Sequence, residues 1–359
     1  MITLPGLIDT HVHLREPGAT QKEDFETGTR AAIAGGYTCI LDMPNNPEPT
    51  ISPDALDKKI SLAKGRVYAD VGFHFGATSE STKYFKQIRN KIFGLKVYMN
   101  HTTGTLLQED SQILQTIFEG WPKDKVLMIH AEGETLETAI DLARKNGNKL
   151  HVCHVSQAME LQFIKQAKIE NLPITCEVTC HHLFLTDEDA KKLGPFGMMR
   201  PPLATKKDQQ ALWEGISDGT VDTIASDHAP HTKEEKNSPN PPNGVPGLET
   251  TLPLLLTAVN EGRLTLEKVI ELTNTNPRKI FAIPQQFDTV VEVGLTKRYT
   301  IDASSLYAKC GWTPFEGMKV TGKIKRVVLR GQVVFENTEI VNSPKGNVIY
   351  PEKIKQQPD

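Results

Sequence analysis

Nowhere in its 359 residues does the chain carry an apolar run near the roughly 18 residues that a membrane-spanning helix needs, so no membrane partner is expected. Pro5 and Asp9 interrupt the opening residues, and no secretory leader is expected there. Basic clusters are also missing. Lys and Arg number 41 against 44 Asp and Glu, and a formal net charge of −3 argues against nucleic acid as a partner. Cysteine is scarce: Cys39, Cys153, Cys176, Cys180 and Cys310 are an odd, scattered set unsuited to a disulfide framework, which points to a reducing, cytoplasmic setting. There is no internal repeat and no low-complexity tract.

What is present is a regular alternation. Short apolar, strand-like runs cover 7–14, 37–43, 67–75, 95–99, 126–130, 150–155, 174–178 and 223–226. Helix-like stretches cover 23–34, 53–63, 109–119, 134–145, 158–170 and 207–216, with start signals such as Ser52-Pro53 and a stop at Gly35-Gly36. Eight nearly all-apolar strands joined by helices predict an α/β fold with parallel pairing through right-handed crossovers, closed as a (β/α)8 TIM barrel. An eight-stranded doubly wound sheet is the alternative. After Ser226 the polar, Pro- and Asn-rich segment 233–247 reads as a long loop over the active face, followed by helices at 249–260, 266–273 and after Pro277. The tail turns β-like at 299–301, 323–329 and 333–335, with Arg330-Gly331-Gln332 as a hairpin turn. The expected division is a catalytic barrel over 1–289 and a small β-rich subdomain over 290–359, with 353–359 frayed.

Chemistry-bearing residues gather where the strands end. The first run leads into His11-Val12-His13-Leu14-Arg15; on a strand, His11 and His13 face the same way, about 6.5–7 Å apart. Lys96 sits inside the apolar fourth run. The fifth ends in His130, the sixth in Cys153-His154, the seventh carries Cys176-Glu177, and the eighth runs into Asp227-His228-Ala229-Pro230-His231. Singly these are satisfied core histidines, a snorkelling lysine, a small apolar thiol and a turn aspartate. At the catalytic end of one barrel they form a transition-metal site. His74 and His151 have no such partners and read as structural. Asn100–Thr105 follows the fourth strand with glycine and small hydroxyls, and reads as a lid in which Thr102 and Thr103 meet substrate.

His11-x-His13 with Lys96, His130, His154 and Asp227 resembles the binuclear amidohydrolase superfamily over essentially the whole chain. The strings His11-Val12-His13-Leu14-Arg15-Glu16-Pro17-Gly18, Met43-Pro44-Asn45, Gly94-Leu95-Lys96 and Ser226 through His231 resemble the dihydroorotases. Cys153-His154-Val155, Cys176-Glu177-Val178, His181-His182-Leu183-Phe184-Leu185 and Trp312-Thr313-Pro314-Phe315-Glu316-Gly317 are most similar to the dihydroorotase domain of the animal-type trifunctional pyrimidine-synthesis polypeptide.

The resemblance implies reversible cyclisation of N-carbamoyl-L-aspartate to L-dihydroorotate plus water. It implies one zinc on His11, His13 and Asp227, a second on His130 and His154, and a carbamate on Lys96 bridging the two. Asp227 becomes the catalytic proton carrier. Arg15, Asn45, Arg200 and His231 become the substrate's donors, and Cys153, Glu177 and His231 match positions for a third zinc. It also implies a homodimer within a larger multienzyme polypeptide; a start so near the first strand fits an excised domain. Two departures stand out. Arg200 replaces an asparagine of many bacterial relatives, and Thr103 replaces a bulky aromatic of the animal-type lid. The rival readings are another cyclic amidohydrolase, such as a hydantoinase or allantoinase, and a catalytically silent scaffold domain.

Overall fold

The computed structural model describes residues 1–341 and 343–352; the frayed end expected over 353–359 lies outside them. Local chemistry starts the helices close to where the sequence places them. Asp24 caps Phe25–Ala34 by accepting from the Thr27 amide, while Thr27 answers to the Asp24 amide. Ser52 caps Pro53–Ala63 with proline in the first turn. Ser111–Gly120, Glu134–Asn146, Ala158–Ile169 and Lys206–Asp218 complete the expected set. Short helices at Phe85–Ile88, Cys180–Phe184, Asp187–Leu193 and Lys233–Lys236 were not expected, being too brief to show a helical period. None of the described helices is long and apolar enough to cross a membrane.

The strands are β1 (Ile2–Pro5), β2 (Leu7–Val12), β3 (Tyr37–Asp42), β4 (Asp70–Phe73), β5 (Phe75–Gly76), β6 (Gly94–Tyr98) and β7 (Val126–His130). They continue as β8 (Lys149–Val152), β9 (Ile174–Thr179), β10 (Thr223–Ala225), β11 (Val290–Thr300), β12 (Lys319–Leu329), β13 (Gln332–Glu336) and β14 (Glu339–Ile340). β2 to β10 run parallel in chain order around the eight positions of a TIM barrel. Two seams interrupt that ring, so its ladder is not closed. The single run expected over 67–75 breaks at His74: β4 pairs with β3, and β5 pairs with β6. Between the eighth and first positions the contact is one Val12–His228 bridge and the His13 amide donating to the His228 carbonyl at 2.8 Å.

The remaining strands form an antiparallel sheet in the order β1-β11-β12-β13-β14, so residues 2–5 join the C-terminal strands. The chain then returns to the barrel, where the Val71 amide donates to Asn347 and the Ile349 amide to Val71.

Alternation along each strand sorts the barrel interior into layers. Ile8, Cys39, Leu41, Val126, Met128 and Phe281 form an apolar floor. His74 and His151 stand above it with their rings edge-on to Phe281, at 5.8 and 5.1 Å between centroids. On β7 the same face continues from Met128 to His130, out of the floor and into the mouth.

One buried ion pair braces the first two strand ends. Lys59 reaches Asp42 at 2.6 Å and donates to the Met43 carbonyl and to Asn46, while Asp42 also accepts from the Leu14 amide at 2.8 Å. Lys59→Met should therefore destabilise the fold by about 3–5 kcal/mol in urea unfolding, because it strands a buried carboxylate. Adding Asp42→Asn should recover much of that loss; a single-variant loss under about 1 kcal/mol would contradict the assignment.

Candidate active site

At the mouth the chain leaves three strands through left-handed backbone: Arg15 has φ 63°, His154 φ 37° and Asp227 φ 45°. Such conformations cost a non-glycine residue on the order of 1–3 kcal/mol each and persist where the surroundings enforce them. Here they turn three functional side chains inward. They also end the strict alternation of faces, so Arg15 reaches the cavity by a turn rather than by continuing β2.

The metal-competent residues converge. His11 Nε2 and His13 Nε2 lie 3.3 and 3.0 Å from the same Asp227 oxygen. The rings of His11 and His154 are 5.1 Å apart, and those of His130 and His154 4.7 Å apart. His130 Nδ1 faces His154 Nε2 at 3.0 Å, and Glu132 lies 3.2 Å from His130 Nε2. Lys96 is fully buried between these strands, and its Nζ has no hydrogen-bond partner among the described residues. A buried ammonium without a partner is costly. Burial lowers the imidazoles of His13 (to about 4), His130 and His154, favouring the neutral form that ligates metal. Burial pushes the Asp227 carboxyl up, but His11 and His13 outweigh it and hold the group well below its ordinary range, as a carboxylate. The donor set and the orphaned Lys96 amine fit a binuclear zinc centre.

Glu177 supports this wall from beneath. Its carboxylate pairs with His11 Nδ1, lies 3.2 Å from His151 Nε2, and accepts from the His154 amide at 3.3 Å. Burial lowers His11, yet Glu177 and then Asp227 bring its imidazole up to about 10. The three groups expected for a third metal do not meet as proposed. Cys153 and Glu177 converge with His11, whereas His231 lies beside Arg15, Lys22 and Asn243. The reason is direction: after Ala229-Pro230 the chain carries His231 outward from the strand end, to the rim.

Beside the His13 and Asp227 ligands, toward the rim, stands a cationic patch. Arg15 donates to the Pro230 carbonyl at 3.0 Å and lies 3.1 Å from His231 Nε2, whose ring also sits 2.9 Å from the Asn243 carbonyl. Lys236, fully buried, donates to the carbonyls of Met198, Pro242 and Gly244 and so folds the 240–244 loop inward. Gly244 has φ 133°, and a Cβ there would sit 2.5 Å from the Ala229 carbonyl oxygen. Asn45 accepts through Oδ1 at His13 Nδ1 (2.8 Å) and donates from Nδ2 to the Thr103 carbonyl (2.9 Å), while the Thr103 hydroxyl donates to Asn243. The segment expected to be a lid is thus tied down on both sides.

In the mouth lies a small cavity lined by His11, His13, Arg15, Asn45, Thr102, Thr103, His130, His154, Arg200 and Asp227. Arg200 lines it from an exposed position at the rim. Tyr98, Asn243 and Gly244 also line it and were missed from the sequence. Tyr98 had a signal, since it follows Lys96 by two on the same strand face; Asn243 and Gly244 had none.

The amidohydrolase family profile matches residues 2–334. Over 96% of its length the chain is 46% identical to the multifunctional protein CAD of Squalus acanthias. It spans 15% of the length of that protein, so the matched region is one part of a larger polypeptide there. It is 37% identical to a dihydroorotase of Pyrococcus furiosus, covering 97% of this chain and 85% of that protein. Among solved structures it resembles the L-hydantoinase (dihydropyrimidinase) from Arthrobacter aurescens, with a TM-score of 0.92, 28% identity and coverage of 98% and 89%.

If Glu177 orients metal ligands, Glu177→Gln should weaken zinc affinity about 10–100-fold in chelator competition. Unchanged affinity would reduce Glu177 to a packing group.

Proposed function

The chain belongs to the amidohydrolase family and, within it, to the dihydroorotases; from that premise we propose that its barrel-mouth cavity interconverts L-dihydroorotate and N-carbamoyl-L-aspartate in pyrimidine biosynthesis. The observation that carries this reading is a single cavity that holds metal-competent imidazoles, a carboxylate and a buried guanidinium together. A cyclic amide bearing a carboxylate is the substrate such a cavity suits.

Zinc is typical of the family. In this reading His11, His13 and Asp227 would hold one ion and His130 and His154 the other, and the Lys96 amine, after adding CO2 and losing its protons, would offer both ions the oxygens of a singly charged carbamate. When bound, the pair supplies Lewis acidity and lowers the pKa of water. A third ion, if taken up, falls to His11, Cys153 and Glu177, whose ligand atoms already lie within 4.8 Å of one another.

The chain's own groups do the rest. Arg15 grips the carboxylate with its planar fork, and burial lowers its guanidinium only to about 10, so it stays charged at neutral pH. His231, Asn45 and Arg200 edge the same subsite. The ring opens when water adds to the scissile carbonyl carbon and the C–N bond breaks. Asp227 accepts the proton from that water and delivers it to the departing ring nitrogen. Cyclisation runs the same transfers backwards. Asn45, shared between His13 and the Thr103 carbonyl, links the closed segment to the ligand wall. We further infer that the chain works as a domain of a larger multienzyme polypeptide and pairs as a homodimer, readings that rest on the family resemblance.

A substrate panel tests the assignment. Zinc-loaded protein should turn over dihydroorotate in preference to hydantoin and allantoin, with Asp227→Asn inert. Preference for hydantoin would move the chain to the hydantoinases, and inertness toward all three would leave a silent scaffold.

A further inference from the structure

Tyr98 ends β6 and is buried at 3% exposure, yet its hydroxyl has no hydrogen-bond partner among the described residues. It lines the cavity, directly beside His130 in the parallel register, with its ring 5.2 Å from the Lys96 amine. A buried hydroxyl without a partner is costly, so such a group in a binding cavity points to a ligand atom that satisfies it.

Its place in the ring says which atom. β6 is the fourth of the eight strand positions and β10 the eighth, so Tyr98 and Asp227 face each other across the mouth. Arg15 and His231 lie on the β2–β10 side, with Asp227. In the six-membered ring of dihydroorotate the scissile C–N bond lies across from the carbon that bears the carboxylate. With the carboxylate on Arg15, that bond lies on the far side of the cavity, toward Lys96, His130 and Tyr98, and its carbonyl oxygen faces the β6 side.

Resting on the dihydroorotase reading, we infer that Tyr98 is a catalytic residue whose hydroxyl donates a hydrogen bond to the scissile carbonyl oxygen and strengthens it as that oxygen becomes anionic. An ordinary phenol is protonated at neutral pH and serves as a donor. Donors aimed where charge develops act on the transition state more than on bound substrate.

Tyr98→Phe removes one oxygen atom and keeps the ring packing. The expected result is a kcat about 10²-fold lower in both directions, with KM, bound zinc per chain and Tm unchanged. An unchanged kcat, a rise in KM alone, or a loss of kcat accompanied by loss of zinc or a lowered Tm would each overturn the role. If the wild-type protein proves inert to dihydroorotate but opens hydantoin, the activity reading fails separately. The same comparison on hydantoin then decides the role of Tyr98, since any cyclic amide presents that oxygen.

Discussion

Everything at the barrel mouth answers to one constraint: a lysine, four imidazoles and two carboxylates crowd together at one end of an apolar cylinder, all of them buried except the half-buried His13. Isolated charges in such a place are expensive, and the cost falls only if each has a partner. Glu177 and Asp227 partner His11 and His13, and Glu132 lies beside His130. Among the described residues the Lys96 amine has no hydrogen-bond partner, and its charge acts on His11, His130 and His154. A binuclear metal centre would remove that imbalance, because the proposed lysine carbamate would be anionic and each metal-bound imidazole would gain a Lewis acid.

Buried lysines elsewhere do opposite work. Lys59 has a carboxylate and two further oxygens within reach and fixes the loop that carries Asn45. Lys236 has three carbonyls and fixes the loop that carries Asn243 and Gly244. Each braces one rim of the cavity from behind, so that Asn45, Asn243 and Gly244 are held in place by buried charges that do not line it. The left-handed residues at Arg15, His154 and Asp227 sit within this braced shell, where strain is stored without loosening the fold.

The alternation of apolar runs and amphipathic stretches was enough to read the barrel, because parallel strands covered on both faces keep their pattern whatever their neighbours. It was not enough to read the break at His74, since a change of pairing partner leaves no trace in hydrophobic order. Nor did it reveal that β1 joins the C-terminal sheet, an effect of long-range pairing. The ligand wall was legible because His11, Lys96, His130 and His154 lie on or at the ends of strands. His231 was not placed correctly with Cys153 and Glu177, because beyond a left-handed turn the parity of a strand no longer says where a side chain points. Tyr98 was overlooked although the same parity that selected Lys96 selects it.

The central claim is that the unpaired Lys96 marks a two-metal site. Diffraction from crystals of the zinc-loaded protein, collected above and below the zinc absorption edge, tests it most directly. The account predicts two strong anomalous peaks among His11, His13, His130, His154 and Asp227, with density for a carboxylate continuing from the Lys96 amine between them. A single peak, or two peaks beside an unmodified Lys96, would contradict it.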